Sequence, residues 1–164
     1  MLRYLFFIDA VMVVLALAAL FAASWHHHRI VKHWHMLLPG LLSLGASFAL
    51  VGYPRWTHLL EAERFTLAVV LFLAGALRGR TMKLASDRVN KVAAVHNAVD
   101  GIVVAAVQAA AAALDMALDI KAGGLTPYTY TFEMILITTA AYLFGRSLTL
   151  WMQVRRSPDV QLIK

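Results

Sequence analysis

The chain is written in long apolar runs separated by short polar ones. Tyr4 to Ser24, Met36 to Tyr53, Val92 to Leu114 and Phe132 to Met152 each suit a helix. At about 1.5 Å of rise per residue, each is long enough, or nearly so, to cross a hydrocarbon layer about 30 Å thick. A fifth run, Phe65 to Leu77, is strongly apolar but pinned between Arg64 and Arg78. It can span if both arginines snorkel outward, or if the helix starts near Trp56 and carries Glu61 and Glu63 into the headgroup layer. The expected fold is therefore all-α: one integral membrane bundle over 1–164, with five transmembrane helices near 4–24, 36–53, 60–77, 92–114 and 132–152. Four spans plus a re-entrant 65–77 segment are the alternative.

Composition points the same way. Hydrophobic residues make up 61% of the chain and charged ones 15%, with a mean hydropathy of +0.70. A soluble domain of 164 residues must still cover one core with polar groups, and this chain has too few. All four tryptophans, Trp25, Trp34, Trp56 and Trp151, fall at predicted span ends, where an indole rests between headgroups and tails. The first apolar run is too long for a signal-peptide core, so it reads as an anchor.

Positive charge gives the orientation, because short cytoplasmic loops retain Lys and Arg. With five spans, Arg29, Lys32, Arg78, Arg80, Lys83, Arg88, Lys91, Arg155, Arg156 and Lys164 share one side, against Arg3, Arg55, Arg64 and Lys121 on the other. Both span models put the C-terminus in the cytoplasm of a bacterial-type inner membrane. They disagree about the N-terminus and about the loop from Trp25 to His35. The net charge of +6 has this ordinary explanation, so no nucleic-acid partner is expected. With no cysteine, thiolate metal sites, disulfides and c-type haem are excluded.

Candidate chemistry lies where polar side chains enter the membrane, since a lipid-facing charge is costly. From Asn90 along the fourth span, Asn97, Asp100, Gln108, Asp115 and Asp119 fall near one helical face, with Ala93, Gly101, Ala105 and Ala112 between them to admit another helix. Asp100 is expected roughly 13 Å inside the boundary at Lys91, at a depth where Arg146 of the last span can pair with it. The pair would fix helix register, or Asp100 with His96 and Asn97 would form a proton or cation site. Asp9 and Glu133 are expected to reach the interface or cap a neighbouring helix, with a transport role as the alternative. Thr138, Thr139, Ser147 and Thr149 are expected to bond back to their own helix.

Five of the seven histidines, His26, His27, His28, His33 and His35, crowd into one loop. Their spacing matches no closed metal motif, so an electrostatic or structural use is the simplest reading, and no cofactor the simplest expectation. A divalent metal on this tract, or a haem between His35 and His96, are the alternatives. Soluble-type catalytic motifs are absent and no enzyme is expected. The leading expectation is a structural or accessory subunit that packs through its fourth helix against itself or other membrane subunits. A small channel or transporter for protons, cations or a small solute, with Asp100 in its pathway, is the second. A haem- or quinone-binding redox anchor is the third.

Overall fold

In the computed structural model, which describes residues 2–26, 29–52, 62–87, 90–96 and 98–156, the chain is mostly helical with one small sheet. The order is α1 (Leu2–Trp25), β1 (Ile30–Lys32), α2 (Leu38–Phe48), α3 (Ala62–Thr81), β2 (Leu84–Asp87), β3 (Val92–Val95), α4 (Val99–Ala122) and α5 (Thr129–Val154). Among the described residues, three helices are long and apolar enough to cross a membrane: Arg3–Trp25, Val99–Ala122 and Thr129–Val154. Their outward faces carry large apolar side chains such as Phe7, Phe21, Val103, Leu114 and Tyr130, which associates the chain with a membrane.

Three- and four-residue spacing of small and apolar positions shapes the interior. On α1 the buried series is Leu5, Ile8, Met12, Ala16, Ala19 and Ala23. It packs against Ala46 and Leu50, against Ala109 and Ala112 of α4, and against Leu136 of α5. α5 is central, touching α2, α3 and α4, while α3 leans almost wholly on α5. That last contact is very close. A Cβ added at Gly75 would fall on the Tyr142 carbonyl, and one added at Gly145 would fall on the Phe72 carbonyl.

The structure corrects three span boundaries. Residues 92–95 are not the start of a membrane helix: they are β3, the central strand of an antiparallel sheet ordered β1-β3-β2. Val31 faces Ala93 across one ladder and Ser86 faces Ala93 across the other. An apolar run of four residues satisfies its backbone equally well in a strand, so hydropathy alone does not separate the two. The fourth helix accordingly runs later, from Val99 to Ala122. It ends where Gly123 takes a left-handed φ of 71°, with the Gly124 amide donating to the Asp119 carbonyl. The second apolar run is broken: only Leu38–Phe48 is α-helical, flanked by 3-10 turns at His33–Leu37 and Ala49–Gly52. Pro39 sits in the first turn of α2, where its missing N–H costs nothing. α3 continues past Arg78 to Thr81.

The sheet caps one end of the bundle over Val31, Met36, Met82, Val95, Leu150 and Val154. Ser86 donates its hydroxyl to the Val154 carbonyl at 3.3 Å, tying the sheet to the end of α5. Three tryptophans ring this end. Arg29 lies 4.4 Å over the Trp25 ring, Arg155 lies 4.2 Å over Trp151, and Trp34 stands edge-on to His35. Trp56 lies outside the described residues.

Candidate functional site

Asp100 and Arg146 meet, as opposite charges inside an apolar bundle must. Arg146 Nε lies 3.1 Å from Asp100 Oδ2, Arg78 Nε lies 3.4 Å from the same oxygen, and the Tyr142 hydroxyl donates to it at 3.1 Å. The arginines come from α5 and α3, so the carboxylate joins three helices. Its depth differs from the expectation. Because β3 replaces the first turn of the expected span, Asp100 is the second residue of α4, at the mouth of the bundle, where the free N–H groups of the first turn also favour a negative charge. Arg78 turns to Asp100 instead of snorkelling outward.

Gln108, a turn and more deeper, joins α4 to α2 and α5. It accepts from the Ser43 hydroxyl and donates to the carbonyls of Ser43 at 3.1 Å and Leu136 at 3.5 Å. Ser47 donates to the same Leu136 carbonyl at 2.9 Å. Every polar atom of the Gln108 side chain is thus used, and the residue is a cross-brace. Thr138, Thr139 and Thr149 do bond back to carbonyls three or four residues earlier. Ser147 does not: its buried Oγ has no hydrogen bond among the described residues.

The histidines separate. His33 bonds through Nε2 with the Val92 carbonyl at 3.1 Å and belongs to the sheet. His26 and His35 line one apolar groove of about 320 Å3 with Phe21, Trp25 and Leu38. His96 is not inside the bundle. It is exposed, follows β3, and lines a different pocket with Arg78 and Lys83, so the expected pairing of His35 with His96 is not formed. His27, His28 and Asn97 lie outside the described residues.

His26 is buried at the end of α1, and burial, reinforced by the Arg146 and His35 charges, pushes its pKa from 6.5 down to about 4. A hydrogen bond to the His35 backbone opposes the shift. Since the unfolded chain takes up the proton first, neutral His26 contributes its full stability above about pH 6.5 and loses it as the pH falls toward 4. The thermal midpoint in detergent should therefore drop between pH 7 and pH 4.5, and His26→Phe should flatten that dependence.

The most unusual group is one the sequence reading did not assemble. At the end of the bundle opposite the sheet, Asp9 of α1 and Asp115 and Asp119 of α4 place carboxylate oxygens within 4.8 Å of one another, all three residues buried. Beside them Glu133 of α5 meets Arg64 of α3 at 3.4 Å, and the Arg64 guanidinium lies 3.8 Å over the Tyr130 ring. Asp9 and Glu133 are thus buried within the bundle, and Arg64 turns inward. The Thr129 hydroxyl is the hydrogen-bonding neighbour of the buried Asp115 carboxyl. Asp119 is divided: Oδ1 accepts from the Thr126 amide at 3.1 Å and the Thr129 hydroxyl at 3.4 Å, while Oδ2 has no hydrogen bond. Carboxylates brought this close repel one another when ionised.

The i, i+4 spacing of Asp115 and Asp119 was the available signal. It places both on the polar face of the fourth helix, but nothing in the sequence brings Asp9 of α1 to them. Comparison with protein-family models, curated protein sequences and solved structures finds no match.

Proposed function

We propose that this chain is a five-crossing membrane protein of the channel or transporter class that handles protons or cations along the inward face of α4. Five crossings are supported by the sheet. Pairing of β1 with β3, and of Ser86 with the end of α5, gathers the α1-α2 loop, the α3-α4 loop and the end of α5 at one end of the bundle. α3 must then cross as well, its charged ends neutralised by Glu133 and Asp100. The gathered end carries Arg29, Lys32, Arg80, Lys83, Lys91, Arg155 and Arg156, which supports a cytoplasmic sheet and C-terminus in a bacterial-type inner membrane.

The observation that carries the functional reading is the direction of the polar stripe. Gln108, Asp115 and Asp119 are buried within this chain's own bundle, and with Asp100 they mark α4 from one end to the other. In this reading that face meets the chain's own helices and serves as a pathway, where the leading expectation from sequence gave it to a partner. The outward residues Val99, Val103, Val107, Leu114 and Ile120 are apolar and suit lipid. Three carboxylates buried beside one another are retained at a cost, which a role in binding or passing a positive charge explains.

Purified protein in liposomes containing a pH-sensitive or cation-sensitive dye should pass the ion down an imposed gradient. Asp115→Asn removes the ionisable carboxyl while keeping its shape and an acceptor for the Thr129 hydroxyl. It should abolish flux while leaving helicity and elution volume unchanged. Equal flux in the variant, or none above empty liposomes in the parent, would overturn the reading.

A further inference from the structure

We propose that the cleft between the sheet and the end of α5 binds the phosphate of an anionic glycerophospholipid. The inference rests on the membrane-crossing part of the reading above and not on the ion pathway.

The cleft has a volume of about 480 Å3, within the roughly 300–1,000 Å3 of clefts that take small molecules. Its charge is of one sign. Lys32, Lys91 and Arg155 line it, and no acidic residue does among the described residues. The three come from distant parts of the chain, and the fold brings them together. Pairing of β1 with β3 sets Lys32 beside Val92, the His33 amide donates to the Lys91 carbonyl at 3.0 Å, and Arg155 follows α5 with its guanidinium 4.2 Å over the Trp151 ring. Asp87, four residues before Lys91, is buried and accepts from the Asn90 amide and the Asn90 side chain, both at 2.9 Å. Its carboxylate clasps the turn and lines no part of the cleft.

Lys91 adds a second observation. Its φ of 54° lies in the left-handed region, and it is the one non-glycine residue there among the described residues. That backbone favours glycine or asparagine, so a lysine is held in it under strain, and strain of this kind gathers at ligand clamps. Here it fixes an exposed ammonium in the wall of the cleft.

Two indoles point to a lipid as the source of the phosphate. Trp34 and Trp151 line the same cleft, and Trp34 is 56% exposed. A soluble phosphate gives such a ring nothing apolar to rest on, whereas at a bilayer surface the ring sits at headgroup level with tails beneath it. α2, which begins just past Trp34, turns Leu41 and Phe48 outward on one face, a wall for acyl chains. Basic clefts at this level recognise lipid phosphates.

The test places full-length protein in phosphatidylcholine vesicles carrying a small fraction of lipid brominated in its acyl chains, either phosphatidylglycerol or phosphatidylcholine, and follows tryptophan fluorescence. Brominated phosphatidylglycerol should quench more strongly at equal fraction, and Trp34→Phe with Trp151→Phe should remove the excess. Lys32→Gln and Lys91→Gln should each lower the relative affinity about fivefold. Lys121→Gln, at the other end of α4, should leave it unchanged. Lys91→Gly suits the left-handed backbone, so it should raise the thermal midpoint while losing the preference, which separates binding from folding. Sodium phosphate and sodium chloride of equal ionic strength should weaken the preference alike. Equal quenching by the two lipids, or a preference that survives all three lysine variants at 32 and 91, would overturn the site. Selective loss in phosphate would make the ligand a soluble anion and overturn it too. Quenching by neither lipid would overturn the membrane-crossing reading as well, whereas flux without lipid preference would overturn this inference alone.

Discussion

Gly145→Ala should unfold the protein well before any substitution on its outward faces does. The added methyl would meet the Phe72 carbonyl oxygen, a backbone atom that can move only if α3 moves with it. α3 has few other neighbours to lean on, so opening its seam with α5 weakens most of its packing at once. Close backbone approach is what holds helices together where lipid removes the hydrophobic driving force, so the loss is not offset elsewhere. Overpacking of this kind costs about 1–3 kcal/mol in yielding surroundings, and this site should fall at or above the upper end. Gly75→Ala, on the facing helix against the Tyr142 carbonyl, should behave alike. Gly124→Ala has open space around the new methyl and serves as the control. Thermal unfolding in detergent reads all three, and a midpoint for Gly145→Ala equal to that of Gly124→Ala would show that the seam is looser than described.

The second large effect is asymmetric. Asp100→Leu leaves Arg146, only 2% exposed, without its carboxylate, and an uncompensated buried charge costs about 3–5 kcal/mol. Arg146→Leu should cost clearly less. The side chain of Asp100 is 20% exposed and retains Arg78 and Tyr142, so it remains neutralised. The double variant should recover much of what Asp100→Leu loses, giving a coupling energy of more than about 1 kcal/mol in a double-mutant cycle. Additive effects would mean that the two groups act independently despite their 3.1 Å contact.

Particular residues show how far the sequence could be read. α1 and α5 were legible because their apolar runs are long, and Asp100 with Arg146 because charges of opposite sign inside an apolar bundle seek each other. The Val92–Val95 strand was not, because its partners lie at 30–32 and 84–87 and no local feature announces them. The acidic site failed for a related reason. Asp9 precedes Asp115 by most of the chain, and hydropathy has no term for which face of α1 turns to which face of α4. Histidine crowding, the most conspicuous pattern, proved least informative: two of the crowd are spent on an apolar groove and one on a strand carbonyl.

The sheet also sets an order of events during synthesis. Lys32 pairs with Val92, so β1 leaves the ribosome about 60 residues ahead of the strand that completes it. At about 5–20 residues per second that is a wait of roughly 3–12 s. During it the nascent chain holds α1 and α2 with a bare strand between them. In the five-crossing reading proposed above, the strand's closure reports that α3 has already passed through the bilayer, since β3 can then reach β1 only from the same side. The small sheet is therefore a latch that shuts late, and a chain whose third helix failed to insert would be left with it open.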